Sequence, residues 1–125
     1  MTLKFEDLKV WQKTIILSTE IHNLTKRFPK EEQYVLTSQL KRACDSIALN
    51  IAEGSTGNTN AEFKQFVLYA LRSAVEVIAC LHLAKNRALI HKDDFEKFYL
   101  KVEEILKMLH GLRNSLTLAK ERSLE

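Results

Sequence analysis

The groups in this 125-residue chain that could do chemistry are four histidines, two cysteines and a few carboxylates set among apolar residues. His22, His82, His91 and His110 are scattered, with no two at the close spacing expected of a zinc pair on one helix. His82 and His91 could meet near one turn, but a solvated histidine is the better reading of each. Glu53 and Glu76 are the acids closest to the apolar pattern, and paired carboxylates can carry metal or acid–base work in four-helix proteins. Such sites need Glu-x-x-His pairs, whereas Glu76 is followed at that spacing by Ala79. The segment Glu53-Gly54-Ser55-Thr56-Gly57 lacks the preceding strand and the lysine of a phosphate-binding loop. Cys44 and Cys80 are isolated thiols in apolar helical context and are expected to be small buried hydrophobes. No catalytic residue, cofactor or metal is therefore expected, and the chain does not read as an enzyme.

Gln39 to Gly54 is more informative. Leu36, Leu40, Ala43, Ile47 and Ile51 recur at steps of three and four, which builds an apolar helix face. Gln39, Arg42, Ser46, Asn50 and Glu53 recur in the same way, displaced by about 100° around the axis. An ordinary surface helix favours Lys and Glu, so this line reads as a polar seam against another helix. Arg42 is expected to be held by Glu76 on the neighbouring helix. Ser46, Asn50 and Glu53 are expected to bond within the bundle or to a neighbouring subunit, capping the loop after Gly54.

The elements that position these groups are helices. One Pro, three Gly and few β-branched runs leave little from which to build a sheet. The first helix is expected over residues 6–27, stopping before Phe28-Pro29 because the residue before proline avoids the helical region. The second is expected over 31–54, with Pro29 at its start and Glu31 and Glu32 near its positive end. Thr59 and Glu62 form a capping box for a third helix over 60–88, and Asp93 and Asp94 open a fourth over 92–120. Phe63, Val67, Ala70, Ala74, Val77, Leu81 and Ala84, then Phe95, Phe98, Val102, Ile105, Leu109, Leu112 and Leu116, alternate steps of four and three. Short loops with that spacing predict an all-α fold, an up-down-up-down antiparallel four-helix bundle in a single domain over 1–125.

The first and third helices are apolar on more than one side. Leu8, Trp11 and Ile15 lie beside the stripe of Val10, Leu17, Ile21, Leu24 and Phe28, and Leu68, Leu71, Val75, Ile78 and Ala79 lie beside the third-helix stripe. A lone bundle would leave such surfaces wet, so they point to a subunit interface. Net charge is +3, which permits an acidic partner without demanding one. The predicted topology gathers Lys26, Arg27, Lys30, Lys85, Arg87 and Lys92 at one end, a rim that could meet the phosphates of RNA or DNA. No aromatic is interleaved with these bases in sequence, so stacking on nucleobases is not expected. No window holds eighteen uninterrupted apolar residues, and the acids of MTLKFEDLKV do not suit a signal peptide. The expected location is cytoplasmic, without membrane contact.

Several residues together resemble a known family: Phe5, Leu8 and Trp11; Phe28-Pro29 with Glu32 and Tyr34; Gln39-Leu40-x-Arg42-Ala43; Ser46-Ile47; Asn50-Ile51-Ala52-Glu53-Gly54; Phe66, Ser73, Glu76 and Met108-Leu109. They resemble the four-helix-bundle proteins encoded in intervening sequences of bacterial 23S ribosomal RNA genes, sometimes labelled ribosomal proteins. That family is similar in turn to the accessory protein of diversity-generating retroelements, a barrel-shaped homopentamer that binds reverse transcriptase and nucleic acid. The resemblance implies an all-α protomer, a homopentamer, an RNA or DNA partner and a protein partner such as a reverse transcriptase. A scaffold or adaptor with no nucleic-acid contact explains the same apolar faces without the basic rim.

Overall fold

A computed structural model describes residues 3–119. A 3-10 turn over Lys4–Asp7 leads into α1 (Lys9–Thr25), then come α2 (Ser38–Ser55), α3 (Asn60–Asn86) and α4 (Lys92–Leu118). No strand occurs among the described residues. The helices neighbour one another in the order α1, α2, α3, α4, with α1 closing back on α4. Paired contacts fix the antiparallel sense: Gln39 and Ser46 of α2 meet Glu76 and Ser73 of α3, and Lys13 and Glu20 of α1 meet Glu104 and Lys101 of α4. The chain is an up-down-up-down four-helix bundle.

Each helix turns its three-and-four stripe inward. Val10, Leu17, Ile21 and Leu24 of α1 meet Leu40, Ile47 and Ile51 of α2, Phe63, Val67, Val77 and Leu81 of α3, and Val102, Ile105 and Leu109 of α4 in one buried cluster. Thr14 is fully buried within the α1 stripe, and its hydroxyl is satisfied by donating 2.7 Å back to the Val10 carbonyl. Leu112 and Leu116 are only partly buried, so the α4 stripe runs out of core before the helix ends. By length and composition α3 could cross a membrane. Its three-and-four stripe is wholly enclosed against α2 and α4, whereas Val75 and Leu83 outside that stripe stay exposed.

The second helix differs from a continuous 31–54 element. A 3-10 turn at Lys30–Glu32 and a π-helical turn at Gln33–Thr37 precede α2. Tyr34, Val35 and Thr37 are aromatic or β-branched and lose rotamer freedom in a regular helix, which favours an irregular start here. The π turn buries Leu36 and leaves Tyr34 and Val35 outside, 91% and 58% exposed. Thr59 accepts a hydrogen bond from the Glu62 N–H at 3.1 Å, while the Glu62 carboxylate reaches Asn58 N–H at 3.3 Å.

The α3–α4 connection holds the one non-glycine residue with positive φ among those described, Ala88 at 58°. Leu89 N–H bonds the Ala84 carbonyl at 2.9 Å and Ala88 N–H bonds that of Lys85 at 3.0 Å. This is a Schellman closure with alanine at the position glycine normally fills. It ends α3 at Asn86 without a glycine to mark the stop. Because the left-handed conformation costs a Cβ-bearing residue about 1 kcal/mol, Ala88→Gly should raise stability by roughly 0.5–1 kcal/mol. Chemical denaturation with an unchanged slope but a higher midpoint is the expected result, and a lower midpoint would refute the account.

Candidate functional site

The predicted polar residues lie along the α2–α3 contact, but they divide the work differently from expectation. The Ser46 and Ser73 hydroxyls bond across the helices at 2.9 Å. Asn50 donates through Nδ2 to the Ser46 carbonyl at 2.8 Å and to its hydroxyl at 3.0 Å. Asn50 thus braces its own helix and the serine pair rather than the loop after Gly54. Glu76 is met by Gln39, whose Nε2 donates at 3.3 Å, and not by Arg42. Arg42 is exposed and makes no ion pair among the described residues. With Glu76 also exposed, solvation of the guanidinium competes successfully with a surface pair. Glu53 is exposed too, and the loop is capped by its backbone carbonyl, which accepts from Thr56 N–H and hydroxyl.

Gly54 closes the lower end of this seam. A Cβ there would lie 2.5 Å from Phe66 Cβ and 3.0 Å from the Phe63 ring, so α2 meets α3 without room for any side chain. Towards the other end the seam opens into a groove of about 600 Å³ lined by Tyr34, Val35, Ser38, Gln39, Arg42 and Glu76, among others. Among the described residues that line it the only acid is Glu76, so they offer neither a carboxylate pair nor a nucleophile with an adjacent base.

On the opposite side, Asp45 of α2 accepts from the Ser18 hydroxyl and sits 3.3 Å from His22 Nε2. Serine, histidine and aspartate therefore meet, but the carboxylate stands between the other two. The serine hydroxyl meets the carboxylate and not the imidazole, so the trio tethers α1 to α2 and does not have the serine–histidine–aspartate order of a triad. Sequence spacing conceals this cluster because its members come from two helices. Among the described residues no His, Cys, Asp and Glu group of three could hold a metal ion.

The basic residues do collect at one end, where the α1–α2 and α3–α4 connections lie side by side. Arg27 pairs with Asp94 at 3.2 Å and Arg87 with Glu32 at 3.2 Å. Lys92 lies 3.9 Å from Glu96, and Lys26 and Lys30 are exposed. Lys85 instead places its ammonium 4.5 Å from the centre of the Phe95 ring. Aromatic and basic groups are thus interleaved in space although not in sequence. His82 packs edge-on against Phe95 and Tyr99, at centroid distances of 4.8 and 6.3 Å. Together with Glu96 and Leu100 these rings line a largely apolar cleft of about 450 Å³. His82 is thereby part of an aromatic cluster, while His91 stands at the start of α4 as its N-cap residue.

Both cysteines are buried and free. Burial, with a smaller push from Asp45, raises the Cys44 thiol to about 12, and burial with Glu76 nearby also raises Cys80. Neither can act as a thiolate nucleophile near neutrality. Both should therefore resist alkylation in the folded protein and react only on unfolding. The unfolded Cys44 thiol ionises near 9 and the folded one near 12, so the folded state binds the extra proton in that window. Its contribution to stability is complete below pH 9 and declines as pH rises from 9 towards 12. Rapid labelling of native protein at pH 8 would contradict this. Because Glu76 is exposed and held by one long bond, Glu76→Ala should cost no more than about 0.5 kcal/mol in thermal denaturation. A loss of several kcal/mol would restore a buried ion pair.

A family model described as 23S rRNA-intervening sequence protein matches residues 6–111. A crystal structure of a protein of unknown function from the S23 ribosomal protein family of Bacteroides thetaiotaomicron is similar, with a TM-score of 0.78 at 27% identity. The match covers 83% of this chain and 97% of that one. A search of curated proteins finds no match. The matched segment contains α1, α2 and α3 entire, with Gly54 at the close α2–α3 approach and the Ser46–Ser73 seam. The chain belongs to the 23S rRNA-intervening sequence protein family.

Proposed function

We propose that this is a non-enzymatic, cytoplasmic, homo-oligomeric bundle that associates with RNA or DNA through the basic end of a ring-shaped assembly. The observation that carries the reading is the apolar surface left outside the core. Ile15 and Ile16 of α1 are 41% and 60% exposed, Val75 and Leu83 of α3 are 57% and 43% exposed, and Tyr34 and Val35 project beside the open α2–α3 groove. Apolar side chains exposed on several faces in this way suit protein contacts. Different surfaces of neighbouring protomers then meet, which is the heterologous contact that closes a ring. The number five rests on the family resemblance alone. Repeating the basic end around one mouth would turn weak single sites into useful affinity for a long polyanion.

A protein-binding scaffold is the second reading, and the engagement of Arg27, Arg87 and Lys92 by carboxylates favours it. Light scattering addresses assembly first: a mass several times 14.5 kDa is expected, and a monomer at micromolar concentration would overturn the proposal. Replacing Lys26, Arg27, Lys30 and Arg87 together with Ser should then weaken RNA binding and flatten its salt dependence. Unchanged affinity and slope would leave the scaffold reading in possession.

A further inference from the structure

We infer that the cleft between α3 and α4 is a stacking site for an unpaired base of single-stranded RNA. The inference rests on the nucleic-acid reading and assigns to it a place and a kind of ligand. His82, Phe95 and Tyr99 form a continuous ring cluster, with Phe95 and Tyr99 centroids 5.8 Å apart at one helical turn. Phe95 is buried and serves as the floor, Tyr99 is half-buried, and His82 is exposed. Leu100, 62% exposed, adds an apolar wall. The volume of about 450 Å³ and the apolar lining suit a planar heterocycle better than a hydrated ion.

Charge selects a base that carries a phosphate. Lys85 lies over the Phe95 ring and has no carboxylate within 4.0 Å among the described residues, unlike Arg27, Arg87 and Lys92 at the same end. Glu96, the one acid lining the cleft, faces Lys92 at 3.9 Å. A nucleotide entering the cleft would find a ring to stack on and an unpaired ammonium beside it. Duplex RNA, whose bases are already stacked and paired, could use only the ammonium.

The test compares a fluorescent oligouridylate of about 12 nucleotides with the same strand annealed to oligoadenylate, in the range of known single-strand sites. The oligomeric wild type should bind the single strand at least about tenfold more tightly, since one stacked base contributes roughly that factor. Tyr99→Leu should remove most of that preference while leaving the salt slope unchanged, and Tyr99→Phe should restore it. Lys85→Gln should instead lower the slope by about one. Circular dichroism and light scattering confirm that each variant remains folded and assembled. Equal affinity for both probes, with no effect of Tyr99→Leu, would overturn the stacking site and leave the nucleic-acid reading standing. Absence of binding to either probe would overturn both. A Tyr99→Leu protein that loses assembly but keeps its single-strand preference would show that the cleft is a protein contact and sink the inference.

Discussion

The close approach of α2 to α3 at Gly54 is the constraint on which the rest of the bundle depends. With Phe66 standing where a Cβ would be, the two backbones are held nearer than side chains ordinarily permit. From that point the bridging groups lengthen along the seam. Two serine hydroxyls suffice at Ser46 and Ser73, whereas Gln39 and Glu76 need full side chains to touch. The pair therefore diverges from a tight lower end to an open groove beside the π turn. Serine is well suited to the middle of the seam, because it is small enough for close packing and its hydroxyl is satisfied by its counterpart and by Asn50.

The contact on the other side of the bundle works by different means. α1 and α4 share the sparsest packing of the neighbouring pairs, and charges span the gap. Lys13 meets Glu104 at 2.6 Å, Glu20 meets Lys101 at 2.6 Å, and Arg27 meets Asp94. Lys13 and Glu104 are exposed, so their pair adds only about 0–1 kcal/mol and weakens with salt, while Glu20, Lys101 and Asp94 are half-buried and are screened less. Their greater service is to alignment, since alternating partners along two antiparallel helices reject other registers. Adhesion thus comes from the apolar core and the α2–α3 contact, and the α1–α4 face supplies register.

The fold was legible because periodicity is a property of each helix by itself. The α3 stripe from Phe63 to Ala84 and the α4 stripe from Phe95 to Leu109 both face inward. The end of α3 was less legible, since Ala88 adopts a left-handed conformation that an alanine does not advertise. The irregular entry to α2 was hidden by acids and Pro29 that suit an ordinary helix start. At the site level, the helix bearing the polar line could be found from spacing alone. Partner choice could not: Gln39 and Arg42 both belong to the polar line and both are exposed, and only the assembled helix pair shows that Gln39 is the one that meets Glu76. The Ser18–Asp45–His22 cluster and the His82–Phe95–Tyr99 cleft were missed because each joins two helices, and register is invisible until the turn lengths are known.

Register also changes what the basic end can offer. Six cations close in space suggest a strong field, but Arg27, Arg87 and Lys92 each face a carboxylate on another turn or helix position. Two of those acids occupy first turns, Asp94 in α4 and Glu32 before α2, where helix dipoles favour them whatever the cations do. A polyanion approaching this end must compete with carboxylates already held in place, which lowers the gain from each arginine. Lys26, Lys30 and Lys85 carry no such competitor among the described residues, and of these only Lys85 adjoins aromatic rings. The same fold that neutralises half of the rim therefore leaves one unpaired ammonium beside the aromatic rings of the α3–α4 cleft. Electrostatics there acts at short range beside an apolar surface, a combination that discriminates between ligands in a way a diffuse basic rim does not.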